Sequence, residues 1–143
     1  MFSACRTNII GSSSVEDSQL KLVLNLEKQE VGHLSQLEAQ FSVKNISGGP
    51  ISYRFSSGCQ HGFTIEKGNE LVFDSRMAYG CTQALTELNL EPGESKTYSI
   101  LLESISDDEF KTNDAGIYQL NAFLLEGYSP EVSTSFTLKN GVN

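Results

Sequence analysis

Cys59, His61 and Cys81 are the residues of this chain whose types invite chemistry. Two thiols and an imidazole, with His33 or Cys5 as a fourth donor, are soft and borderline ligands of the kind zinc takes. Zinc signatures usually set their ligands two to four residues apart in two separate pairs, and Cys59-x-His61 followed by a distant Cys81 does not repeat that arrangement. A Cys–His nucleophile pair fares no better. Residues two apart on a strand share a face but seldom converge, and no third group stands by to orient the imidazole. Asp107, Asp108, Glu109 and Asp114 offer carboxylates, yet they lack the Asp-x-Asp-x-Asp-Gly order of a calcium loop and read as a solvated acidic segment. There is no glycine-rich phosphate loop, no Gly-x-Ser-x-Gly elbow and no His-Glu-x-x-His. The expectation is a binding protein with no catalytic residues, no cofactor and no metal.

The elements that must position these residues are strands. From Leu20 onward apolar residues recur with a period of two: Leu20, Leu22, Leu24 and Leu26; Leu37, Ala39, Phe41 and Val43; Ile51, Tyr53 and Phe55; Phe63 and Ile65; Leu71 and Phe73. The same period returns in Tyr98, Ile100 and Leu102, in Tyr118, Leu120, Ala122 and Leu124, and in Val132, Thr134, Phe136 and Leu138. Turn chemistry separates the runs, as in Asn45-Ile46-Ser47-Gly48-Gly49-Pro50, Lys67-Gly68-Asn69 and Glu91-Pro92-Gly93-Glu94. About eight strands at this spacing predict an all-β, antiparallel, immunoglobulin-like sandwich. Thr82 to Leu90 is the ambiguous piece. Leu85 and Leu88 stand at helical spacing while Leu88 and Leu90 stand at strand spacing, and a strand with an irregular start is expected. Asp114-Ala115-Gly116-Ile117-Tyr118 has the order of a tyrosine corner, in which the phenol bonds back to nearby backbone.

A length of 143 residues, with 38% hydrophobic and 20% charged, suits one domain with one core. The formal charge of -8, with no cluster of Lys or Arg, would repel phosphate backbones and anionic lipid, which speaks against a nucleic-acid partner. Arg6 to Gln19 form a polar tract centred on Gly11-Ser12-Ser13-Ser14, so a flexible tether is expected over 1–19 and a folded domain over 20–140. Phe2-Ser3-Ala4-Cys5 resembles the end of a bacterial lipoprotein signal, although only Met1 precedes it. Two readings stay open: Cys5 as the lipid-bearing first residue of an envelope lipoprotein, or an ordinary cytosolic start. The same choice governs Cys59 and Cys81. In an exported domain they would be joined, closing a loop worth roughly 3 kcal/mol; in the cytosol they would be reduced.

Ser57-Gly58, Phe63-Thr64-Ile65, Leu71-Val72-Phe73, Thr82-Gln83-Ala84-Leu85, Leu90-Glu91-Pro92-Gly93-Glu94, Tyr98 and Gly116-Ile117-Tyr118 recur in the order of another family. Over Leu37 to Leu125 the chain resembles the BsuPI-type intracellular proteinase inhibitor domain. That resemblance implies an immunoglobulin-like sandwich that binds a serine proteinase of the subtilisin type and blocks it without chemistry of its own. Its motif positions read as structural, with glycines for turns and aromatics for the core, and carry no inhibitory residue across. The segment best suited to contact by residue type is Ser75 to Gly80, with Arg76, Met77, Ala78 and Tyr79 offering long and aromatic anchors. Its plainer reading is an ordinary connection with one exposed Arg. The expected partner is a serine proteinase, with membrane contact only through a lipid anchor and a monomeric chain. The alternative is a non-inhibitory adhesion or assembly module of a bacterial envelope lipoprotein.

Overall fold

The computed structural model describes residues 12–78, 80–103, 105, 109–125 and 129–139. In chain order its strands are β1 (Ser12–Glu16), β2 (Leu20–Leu26), β3 (Glu30–Val31), β4 (Glu38–Asn45), β5 (Ile51–Phe55), β6 (His61–Lys67) and β7 (Glu70–Asp74). After a one-turn helix α1 (Ser75–Ala78) come β8 (Thr86–Leu90), β9 (Ser95–Leu101), β10 (Gly116–Leu124) and β11 (Glu131–Leu138). One sheet runs β1-β2-β4-β9 and the other β3-β11-β10-β6-β7, while β5 and β8 pair apart from both. Every pairing is antiparallel except the short β3–β11 ladder. This is the all-β sandwich that the alternation predicts.

The period of two works because each strand turns one face to a shared interior. Leu22, Leu24, Phe41 and Val43 from the first sheet and Ile65, Leu120 and Ala122 from the second are completely buried in one continuous cluster. Tyr118 stacks on Phe136 at 5.6 Å and donates its phenol to the Asp114 carbonyl at 2.6 Å, which closes the tyrosine corner. Gly116, at φ +149, supplies the backbone that this corner requires.

Eleven strands stand among the described residues where about eight were expected. β1 and β3 account for much of the difference. β1 lies inside the segment expected as a tether, yet Ser12 to Glu16 pair along β2 from Asn25 to Lys21. Backbone hydrogen bonding to an open sheet edge needs no apolar alternation, so composition alone misses it. β3 holds only two residues and escapes for the same reason. The phase of β7 also differs from expectation. Leu71 is exposed while Val72 and Phe73 are both buried, because the β6–β7 register shifts between Ile65 and Glu66 and turns two consecutive side chains inward. Phe73 then meets Phe110 at 5.3 Å.

The β5–β8 pair belongs to neither sheet and has to be fastened to them. Asn45, at the end of β4, is fully buried and bonded through every donor and acceptor of its amide. Its Nδ2 donates to the Gly49 and Leu90 carbonyls, each at 2.9 Å, and its Oδ1 accepts from the Ser47 N–H and hydroxyl. A second fastening crosses all three units. Tyr98 on β9 donates its phenol to Gln60 Oε1 at 2.7 Å, and Gln60 Nε2 donates to the Glu87 carbonyl on β8. The His61 ring stacks on Tyr98 at 4.6 Å and bonds the Ser99 backbone. Burial pushes the Tyr98 phenol up to about 12 and lowers the His61 imidazole, against a smaller upward pull from Ser99.

Replacing Asn45 by Ala removes the amide donor of the buried Leu90 carbonyl, while the Gly49 carbonyl keeps the Ser47 hydroxyl, and the expected loss is about 1–3 kcal/mol, read as a lower urea midpoint at unchanged slope. His61 gives a pH signature. The unfolded chain takes up a proton near the ordinary value of 6.5 and the folded chain resists it, so His61 costs nothing above that pH and destabilises increasingly below it. Thermal midpoints measured from pH 7.5 to pH 5 should therefore fall, and His61→Gln should flatten that part of the profile.

Candidate functional site

The connection from β7 to β8 is an exposed stretch anchored at several points. At its start Ser75 is buried, and its hydroxyl accepts the Phe63 N–H at 2.9 Å. Asp74 then binds Arg76 three ways: Oδ1 accepts from the Arg76 N–H at 3.0 Å and from Nε at 2.9 Å, and Oδ2 accepts from Nη2 at 2.8 Å. The Arg76 side-chain hydrogen bond holds the Asp74 carboxyl below its usual range, and the same bond raises Arg76. The guanidinium lies over the Phe123 ring at 5.0 Å. Phe123 in turn covers Gly62, where an added Cβ would come 2.8 Å from the ring. Arg76 is thus laid against the outer face of the second sheet. Met77 beside it is 84% exposed. Tyr79 and the Ala78 side chain lie outside the described residues.

Beyond this point the connection is tied to the chain leading into β6. Cys59 and Cys81 form a disulfide, with Cα atoms 5.5 Å apart. The Gly58 N–H donates to the Thr82 carbonyl at 2.9 Å, and any side chain at 58 would run into the Thr82 hydroxyl. The Thr86 hydroxyl donates to the Ser57 carbonyl at 2.8 Å, just where β8 begins to pair with β5. Between the Thr82 and Thr86 attachments stand Gln83, Ala84 and Leu85, all exposed, with Leu85 at 82%. The sequence expectation centred on Arg76 to Tyr79 and passed over this second half. Its one signal was that Leu85 fits neither the strand phase of β8 nor any interior position.

The residues that suggested chemistry are otherwise engaged. The disulfide removes Cys59 and Cys81 as thiolate nucleophiles and as metal ligands. His61 is committed to Tyr98 and the Ser99 backbone. Among the described residues no three of His, Cys, Asp and Glu gather closely enough to hold a metal. Asp107, Asp108 and Cys5 lie outside the described residues. An open cleft of about 940 Å³ runs beside the disulfide, lined by Gly58 to His61 on one wall and Lys96 to Ser99 on the other. Its floor is the His61–Tyr98 stack, which fastens the sheets together.

Comparison with curated proteins by sequence gives no match. Among solved structures the chain is similar to a mutant β-glucosidase from Listeria innocua in complex with laminaribiose, at 15% identity and TM-score 0.48, covering 88% of this chain and 17% of that one. It is also similar to a β-glucosidase from Erythrobacter marinus, at 16% identity and TM-score 0.44, covering 89% and 15%. A β-glucosidase from Bifidobacterium adolescentis aligns at 14% identity and TM-score 0.43, covering 83% and 17%. This chain therefore spans less than a fifth of the length of each. Residues 22–127, most of the chain, match the family described as BsuPI, intracellular proteinase inhibitor. With the sandwich, the tyrosine corner and that match together, this chain belongs to the BsuPI family of intracellular proteinase inhibitors.

Proposed function

We propose that this chain inhibits a serine proteinase of the subtilisin type by presenting the β7–β8 connection, Arg76, Met77, Ala78 and Tyr79 included, to the enzyme's cleft. Family membership supports the class of activity. The observation that carries the reading is the anchoring of an exposed segment: Ser75 at one end, the Cys59–Cys81 disulfide at the middle and Thr86 at the other end. An inhibitor that binds as a substrate does must avoid being ordered at the enzyme's expense. Each side chain immobilised on binding costs about 0.5–1.5 kcal/mol, so a segment already held in place keeps more of its contact energy as affinity.

The second reading, an assembly or adhesion module of an envelope lipoprotein, draws on one observation. A joined cysteine pair belongs to oxidising compartments more than to the cytosol. Cys5 would then be the lipid-bearing residue.

Titration of a subtilisin-type proteinase with the protein should abolish activity at a stoichiometric ratio. Steady hydrolysis of the protein, or undiminished enzyme activity, would refute inhibition and favour the second reading. Cys59→Ser/Cys81→Ser should weaken inhibition by tenfold or more and lower folding stability by roughly 3 kcal/mol, the entropy restored to a loop of this length. Both effects are read from inhibition constants and denaturant midpoints on the same preparation.

A further inference from the structure

We propose that Leu85 is the side chain that fills the primary specificity pocket of the target proteinase, and that the target therefore accepts a large apolar residue at that position. This rests on the inhibitor reading and refines it. Of the motif elements that carry the family resemblance, the core and turns absorb Phe63, Ile65, Val72, Phe73, Leu90, Gly93 and Tyr118, whereas Thr82 to Leu85 are exposed throughout. Leu85 gives up apolar burial, with 82% of its surface in solvent. A buried position lay within reach: Leu88 and Leu90, three and five residues on, enter the core.

The rival anchors are less suited. Arg76 is chelated by Asp74 and lies on Phe123, so its side chain would have to break three contacts to enter a pocket. Met77 is as exposed as Leu85 but sits in the helical turn of α1, and a proteinase cleft receives backbone in extended form. Leu85 has no helix around it and leads straight into β8.

The fastenings on either side also account for resistance to cleavage. Attack of the enzyme's serine hydroxyl on the Leu85 carbonyl would form an acyl-enzyme and release the Thr86 amine, the serine proton passing to that amine. Both product ends stay in place. The Leu85 side is held through Thr82, Gly58 and the disulfide, and the Thr86 side through Ser57 and the pairing with β5. The amine is therefore positioned to attack the ester, reform the peptide bond and return the proton to serine faster than water completes hydrolysis.

The test titrates the full chain and its Leu85→Ala, Leu85→Asp, Leu85→Arg and Met77→Ala variants against two serine proteinases. One cleaves after large apolar residues and the other after Arg or Lys. The wild type should inhibit the first enzyme and spare the second. Leu85→Ala should weaken that inhibition by roughly tenfold to a hundredfold, the value of one buried leucine, and Leu85→Asp by more. Met77→Ala should weaken it less than Leu85→Ala does, and Leu85→Arg should move inhibition to the second enzyme. Since Leu85 is 82% exposed, thermal midpoints should be unchanged, and mass analysis after long incubation should find the slow cut between Leu85 and Thr86. Wild-type inhibition matched by Leu85→Asp, or a cut after Arg76 or Met77, would overturn the Leu85 assignment and leave the inhibitor reading standing. A wild type that inhibits neither enzyme would overturn both.

Discussion

The buried amide of Asn45 is the constraint on which the arrangement of this domain depends. A sandwich is held by apolar area, but apolar area is not directional, and a two-stranded pair lying outside both sheets could slide over the core at little cost. An amide in a dry interior cannot slide, because any displacement leaves a donor or acceptor without water or partner. Asn45 spends two donors on the chain entering β5 and the chain leaving β8, and so fixes where that pair begins and ends relative to β4. Its own N–H and C=O engage Glu94 and Gly93, tying the Pro-Gly turn into the same knot.

From that fixed point the order of events along the chain becomes intelligible. β8 is held at its far end by Asn45, along its length by β5, and through Glu87 by the Gln60–Tyr98 bridge. Its near end, at Thr86, is therefore already in position when it meets Ser57. The segment before it inherits that order. Exposure and rigidity usually oppose one another in a loop, since the contacts that fix a backbone also bury it. Here they are reconciled by fixing residue 81 through the disulfide, 82 through its carbonyl and 86 through its hydroxyl, and leaving the three side chains between them in solvent.

Much of this was legible beforehand, and the reason differs from element to element. The interiors of β2, β4, β10 and β11 follow directly from alternation, since each buries one face against the other sheet. Tyr118 and its corner follow from local order in Asp114 to Tyr118. Alternation could not reveal β1, whose pairing rests on backbone groups that every residue owns, nor the register shift that turns Val72 inward, which depends on β6 as the partner strand. Arg76 illustrates the limit for a site. By residue type it is a strong contact residue; its partner Asp74 stands only two residues before it, and the fold adds Phe123 from β10, the central strand of the same sheet.

The disulfide divides the β7–β8 connection into two parts with different covalent status. Between Cys59 and Cys81 the chain forms a closed ring, so a nick beside Arg76 or Met77 would leave a single molecule linked through sulfur. Past Cys81 the ring is over. A break there would separate the protein into two polypeptides whose union rests wholly on β-ladders and the shared apolar interior, which makes the integrity of the second half a matter of folding stability instead of bond connectivity.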